Sequence, residues 1–370
     1  MLTPRYLEGA PDAMVELYSE VEADILADMA RRIARYDFFI PAAEHQLRVL
    51  EEMGAEQAYI LRRLAELTSR SEEELRQLFE AAGGKALVSD RADYRRAGLH
   101  PPALNTSREL QRVLNAGLRQ TQGLFTNLTR TTALDSGGLF RAVLDRAWFH
   151  VSTGGFDANT AIRSAVKELT RQGLTTVDYA SGRTISVEAA VRMNVVTGVN
   201  QTALRLQETM ADEMDSDLVE TTAHSGARPS HAKWQGKVFS RSGKSKKYPD
   251  FRRATGYGTG PGLGGWNCRH SFHPYFEGMA RTYGAGELKK LEEKSITYNG
   301  EKLTEYEASQ RQRYMERQIR RWKREQQAMK AAGQSQGEAK AKLKEWRALQ
   351  SDFVEQTGLK RQYDRERVGG

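Results

Sequence analysis

The chain has 370 residues, of which 39% are hydrophobic and 28% charged, with one cysteine and a formal net charge of +8. That length supports two or three domains with a sizeable core, and a single cysteine excludes an internal disulfide. Residues 1–100 balance to −6 and residues 101–370 to +14, a split that points to a protein partner for the first part and an anion such as nucleic acid for the second.

The N-terminal stretch has no basic segment followed by an apolar one, so a cleaved leader is not expected. Met14, Leu17, Tyr18, Val21, Ile25, Leu26, Met29 and Ile33 recur at helical spacing and predict one amphipathic helix. Pro41 can open the next, in which Leu47, Leu50, Ile60, Leu61, Leu64 and Leu67 continue the apolar pattern. Ser71 and Glu74 have capping-box spacing, and Gly83-Gly84 predicts the end of that helix. Residues 90–105 read as a connector, and Leu110–Thr132 and Gly138–Phe149 as further helices before Gly154-Gly155.

The pattern then changes. Thr175, Val177 and Tyr179 alternate with polar residues, and residues 184–186 repeat the trend across Ser181-Gly182, which predicts a hairpin. Ser186 can cap a helix over 187–214. Residues 218–222, 237–239 and 266–272 predict short strands. Thr304 and Glu307 form a second capping box, opening a helix to about Ala332 that carries eight Lys/Arg against four Asp/Glu. GQSQG at 333–337 is a joint before a last helix with Leu343, Trp346, Leu349 and Phe353 on one side; the final ten residues are expected to fray. No run of about 18 apolar residues occurs, so a soluble protein without a membrane anchor is expected. The predicted class is α+β: a mostly helical region over 1–150, a small central α+β domain over 151–300, and basic C-terminal helices over 301–370.

The uncommon chemistry lies between His224 and Phe276, which hold the one cysteine and four of the seven histidines. Cys268 and His270 are two apart, so on a strand they would share a face. With His231, and with His224 as a fourth, they form a candidate zinc set, since zinc accepts Cys/His mixtures. His273 would point away from Cys268 and His270 on a continuing strand. Against this stands a bland reading: a small buried thiol and histidines bonded locally. A Cys268–His270 nucleophile pair is disfavoured, because catalytic partners come from distant segments, and only Asp250 and Glu277 offer carboxylates nearby. Lys237, Arg241, Lys244, Lys246, Lys247, Arg252 and Arg253, interleaved with Tyr248, Phe251 and Tyr257, form a candidate non-specific DNA contact, or else a solvated loop. Six glycines over 256–265 do not follow an apolar strand or open a helix, so they read as a flexible crossing rather than a phosphate loop.

Three segments carry a family resemblance: TTVDYASGRTISVEAAVRMNVVTGVNQTA at 175–203, HSGARPSHAKWQGKVFS at 224–240 and WNCRHSFHPYFEG at 266–278. Together they resemble the minor capsid protein 2 family of tailed bacteriophages and prophages, which is similar to the Mu F-like head-morphogenesis group. The resemblance covers roughly 150–330. It implies a structural virion protein present in few copies, made in the bacterial host cytoplasm and associated with the portal and other head proteins. It further implies a role in head morphogenesis or DNA delivery. Some members of the broader group carry enzymatic toxin domains at their C-termini, but this C-terminus reads only as basic helix, so no enzymatic activity is expected. That group often carries cysteine pairs at the two turns where this chain has His231 and His270, so metal binding does not follow from the resemblance alone. The alternative is an enzyme that modifies nucleic acid or nucleotides through the His/Cys cluster.

Overall fold

The computed structural model describes residues 1–178 and 182–369. Helices dominate: α1 (Pro4–Gly9), α2 (Asp12–Arg35), α3 (Ala42–Arg96), α4 (Arg108–Ser152) and α5 (Ala158–Gln172) precede a hairpin of β1 (Thr175–Asp178) and β2 (Arg183–Ser186). Then come α6 (Val187–Glu213), β3 (Leu218–Thr221), α7 (Pro229–Ala232), β4 (Val238–Ser240), α8 (Phe251–Thr255) and β5 (Phe272–Pro274). The chain closes with α9 (Ala285–Lys290), a hairpin of β6 (Ile296–Tyr298) and β7 (Glu301–Leu303), α10 (Glu305–Ala331), α11 (Gly337–Thr357) and a 3₁₀ turn at Tyr363–Glu366. This is the expected α+β class. Tyr179 and Ser181 of the first predicted hairpin lie outside the described residues.

Two compact units form. Unit 1 takes Met1–Ala13, Glu72–Leu124 and Arg192–Gln310; unit 2 takes Met14–Ser71, Phe125–Val191 and Arg311–Gly370. The chain passes between units inside helices, so each unit interleaves residues from 1–150, 151–300 and 301–370.

Unit 1 is built on a three-stranded antiparallel sheet in the order β4-β3-β5, with Val219 opposite both Phe239 and Pro274. Leu204 of α6 packs beneath it with Val219, Trp234, Phe239, Phe251, Leu263 and Phe272. A second cluster joins Leu87 and Tyr94 to Leu110, Leu206 and Met210. α4 and α6 meet through a reciprocal pair of small residues. A Cβ on Gly117 would stand 2.0 Å from Thr202 Oγ1, and one on Gly198 would stand 2.3 Å from Thr121 Oγ1. Each helix thus offers a glycine to the threonine of the other, which lets the backbones approach closely and fixes α6 where its Asn200 serves the site below.

Unit 2 buries the whole α2 stripe that helical spacing predicts, from Met14 to Ile33. Despite its basic composition, α10 turns several charged side chains inward. Gln312, Glu316, Arg320, Arg324 and Glu325 are buried. Arg320 Nη2 lies 2.7 Å from Glu188 Oε2, and Arg324 Nη1 lies 3.7 Å from Glu22 Oε2. The fraying expected of the C-terminal stretch is not seen over 361–369. Glu366 is buried and takes 2.7 and 2.9 Å hydrogen bonds from Arg361, and Lys323 donates to its carbonyl at 2.6 Å.

Several punctuation marks in the sequence act differently in the fold. Gly83-Gly84 does not end α3. A Cβ on Gly83 would sit 3.0 Å from Leu114 and 3.2 Å from Leu104, so this glycine serves close packing. Gly137-Gly138 likewise lies within α4. Ser71 caps nothing; it is buried inside α3 and its hydroxyl donates to the Thr68 carbonyl at 2.9 Å. Leu47, Leu50 and Leu61 are 65%, 60% and 54% exposed, because the buried stripe of α3 runs through His45, Val49, Glu56, Ile60, Leu64 and Leu67. By contrast, Ser186 accepts from the Ala189 N–H, and the Thr304/Glu307 box forms in both directions at 2.8 and 3.2 Å.

Candidate metal centre

His231, Cys268 and His270 come together in unit 1, all three 2% exposed or less. His231 sits on the short turn of helix that Pro229 opens. Cys268 and His270 are not on a strand as expected. They lie on the irregular stretch leading into β5, where the Asn267 φ of 53° and a Cys268 N–H to Gly265 carbonyl bond turn the chain. The two side chains still converge, because Asn200 Nδ2 of α6 donates to the carbonyls of both Cys268 (2.8 Å) and His270 (3.0 Å).

The donor atoms lie close to one another. His231 Nδ1 is 3.4 Å from His270 Nδ1, and Cys268 Sγ is 3.8 and 3.7 Å from those two nitrogens. Each imidazole is held from its far side. His231 Nε2–H donates to the Pro261 carbonyl at 2.8 Å, and His270 Nε2–H donates to Gln235 Oε1 at 3.1 Å. The Gln235 orientation is itself fixed, since the same oxygen accepts the His224 backbone N–H at 3.3 Å. Both rings therefore turn the lone pair of Nδ1 toward the thiol.

The glycine-dense segment supplies the Pro261 carbonyl, and it is not a loose crossing. A Cβ on Gly262 would fall 2.0 Å from the Gly256 carbonyl oxygen, and one on Gly265 would fall 1.9 Å from that of Gly260. The segment folds back on itself too tightly for any side chain at those positions.

His224 stands beside the three without joining them. Its ring centroid is 4.3 Å from that of His270. Its Nδ1–H donates to the Ser225 carbonyl at 2.8 Å, so Nε2 carries the lone pair, and that atom is buried with no hydrogen-bond partner among the described residues. His273 lies apart, on β5 opposite Glu220, with Nε2 3.2 Å from the Thr282 hydroxyl. Burial lowers the His224 pKa to about 4 and the His270 pKa well below the ordinary imidazole value. It lowers that of His231 as well, and it raises that of the Cys268 thiol. In the absence of a cation the cluster is thus neutral near pH 7.

The basic residues are arranged unequally. Arg241 turns inward to the Ser216 carbonyl at 2.8 Å and to Asp212. Lys237 donates to the Lys233 carbonyl at 2.6 Å, Lys247 pairs with Glu277 at 3.0 Å, and Arg252 pairs with Glu208. Lys244, Lys246 and Arg253 are exposed and carry no ion pair among the described residues.

The sequence reading missed Asn200, Gln235 and the Pro261 carbonyl as supports of the cluster. An asparagine inside the apolar run VVTGVN was the available signal, since a buried amide on a helix needs a partner.

The profile of the phage minor capsid protein 2 family matches residues 2–355. The chain belongs to that family. Its curated relatives agree. A "Structural protein" of Lactococcus phage LL-H is 29% identical over 273 residues, covering 71% of this chain and 68% of that protein. A "Structural protein" of Lactococcus phage mv4 is 35% identical over 116 residues, covering 30% of this chain and 86% of that protein. The match extends well beyond the segments 175–203, 224–240 and 266–278. No solved structure matches the chain. Among the described residues no helix is long and apolar enough to cross a membrane.

Proposed function

We propose that this minor capsid family member is a non-catalytic component of the phage head, made in the host cytoplasm, docked on the portal and neighbouring head proteins, and in contact with packaged DNA. One observation carries the non-catalytic part: the His231, Cys268 and His270 cluster is 2% exposed or less. A reacting group needs a route for substrate and a partner acid or base. Neither nearby carboxylate supplies the latter. Asp250 caps α8 through the Arg253 N–H, and Glu277 is held by Lys247.

Docking is supported by apolar side chains that unit 2 leaves outside. Phe39 is 80% exposed, and Leu47, Leu50 and Leu61 lie on the outer surface of α3. Exposed large hydrophobics grouped along one helix are a feature of protein interaction surfaces. The portal is the partner that the family resemblance implies.

The DNA contact narrows to Lys244, Lys246 and Arg253, because Arg241 and Arg252 are engaged with Asp212 and Glu208. Changing those three to Gln in the full chain should flatten the dependence of duplex affinity on salt. The expected change in the log–log slope is about 0.9 for each phosphate that the variant no longer neutralises. Filter binding across a salt series measures it. An unchanged slope would mean that this loop does not touch DNA.

A further inference from the structure

We propose that unit 1 is closed by a structural zinc ion bound to His231 Nδ1, Cys268 Sγ and His270 Nδ1, with His224 Nε2 completing the set. This stands apart from the head-assembly reading, and its failure would leave family membership untouched. The first argument is metric. Zinc–nitrogen bonds of about 2.0–2.1 Å and a zinc–sulfur bond of about 2.3 Å, set at tetrahedral angles, place nitrogens about 3.3 Å apart and sulfur about 3.6 Å from each nitrogen. The observed separations are 3.4 Å for the nitrogen pair and 3.7 and 3.8 Å for sulfur to nitrogen. The three donors already mark one face of such a tetrahedron.

The second argument counts protons. The Pro261 carbonyl and Gln235 Oε1 occupy the Nε2–H groups of the two rings. Two buried lone pairs therefore face each other across 3.4 Å, with a single thiol proton to share between them. An arrangement with more acceptors than donors is costly inside a protein. A divalent cation relieves it: the thiol proton leaves to solvent as the zinc–sulfur bond forms, and both lone pairs gain a partner. The carbonyl and amide oxygen behind the rings are the outer supports expected of metal-bound histidines.

The third argument concerns His224. It is not one of the three residues whose donor atoms lie within 4.8 Å of one another. Its Nε2 is nonetheless a buried lone pair without a partner, on a ring packed against His270. In the proposed site that ring turns its Nε2 to the ion as the fourth ligand. The ion then joins the segment after β3, the α7 turn and the lead into β5, with the glycine-dense fold held behind His231.

The test uses the full chain, purified without chelator and then loaded with zinc or with cobalt(II) alone. The expected result is one zinc per chain and, for the cobalt form, a sulfur-to-cobalt charge-transfer band with the strong visible absorption of four-coordinate cobalt. Chelator should lower the melting temperature of the parent. Cys268→Ser should lose the charge-transfer band and its chelator-sensitive melting shift. His224→Ala should keep the charge-transfer band, lose visible intensity and bind zinc at least tenfold more weakly. Parent protein that takes up no stoichiometric metal and shows no charge-transfer band overturns the site, whatever the variants do. A His224→Ala protein that matches the parent in affinity and spectrum overturns the fourth ligand.

Discussion

Replacing Arg324 with Met should destabilise unit 2 by about 3–5 kcal/mol, because it leaves Glu22 as a buried carboxyl without its cationic partner. Glu22 is almost fully buried on α2 and holds two elements together. Its Oε1 accepts the Leu174 N–H at 2.8 Å, and its Oε2 faces Arg324 Nη1 at 3.7 Å. Burial raises the Glu22 pKa, while Arg324 and the Leu174 N–H hold it down. Gly173, at φ 71°, lets the chain turn against the pair: a Cβ there would stand 2.3 Å from the carboxylate. Removing both charges is a different change. Glu22→Leu with Arg324→Met should recover much of the loss, as buried ion pairs often exchange for apolar packing at little net cost. Urea unfolding of the parent, the single variant and the double variant measures the three values. A single-variant loss under about 1 kcal/mol would mean the pair is solvated and weak.

Glu56→Gln should remove a pH dependence from the stability of unit 2. Both Glu56 carboxyl oxygens are buried without a hydrogen bond among the described residues. The nearest cation is already occupied: Arg32 binds Asp28 at 2.6 Å and Glu52 at 3.0 Å. Burial, with the Asp28 charge adding to it and Arg32 opposing it, raises the Glu56 pKa from 4.5 to about 7. A carboxyl whose folded pKa is raised stabilises the fold in its neutral form. That contribution is complete below its ordinary pKa and is lost as pH rises from about 4.5 through about 7. Melting temperatures of the parent should therefore fall across that window relative to those of Glu56→Gln, which stays neutral throughout. Parallel profiles for the two proteins would show that Glu56 ionises freely in the fold.

What could be read from the sequence followed from short-range rules. The α2 stripe, the Ser186 cap and the Thr304/Glu307 box each depend on spacing within one element, and all three hold. The convergence of His231, Cys268 and His270 was also legible, although it arises from a turn and two Asn200 hydrogen bonds rather than from strand alternation. Two failures share a cause, which is that tertiary contact decided the outcome. Gly83 reads as a helix end by local propensity, but Leu104 and Leu114 pack where its side chain would be. The basic composition of α10 gives no sign that Arg324 and Arg320 are buried, because Glu22 and Glu188, on other elements of unit 2, draw them inward. The β6–β7 hairpin was missed although Asn299-Gly300, with φ values of 49° and 80°, is a strong local turn signal.

Cross-linking mass spectrometry of purified phage particles tests the central claim most directly. A minor head protein should be present in far fewer copies than the major capsid protein, with cross-links from its lysines to the portal. A chain found only in the infected-cell lysate and absent from particles, or one as abundant as the major capsid protein, would contradict the account.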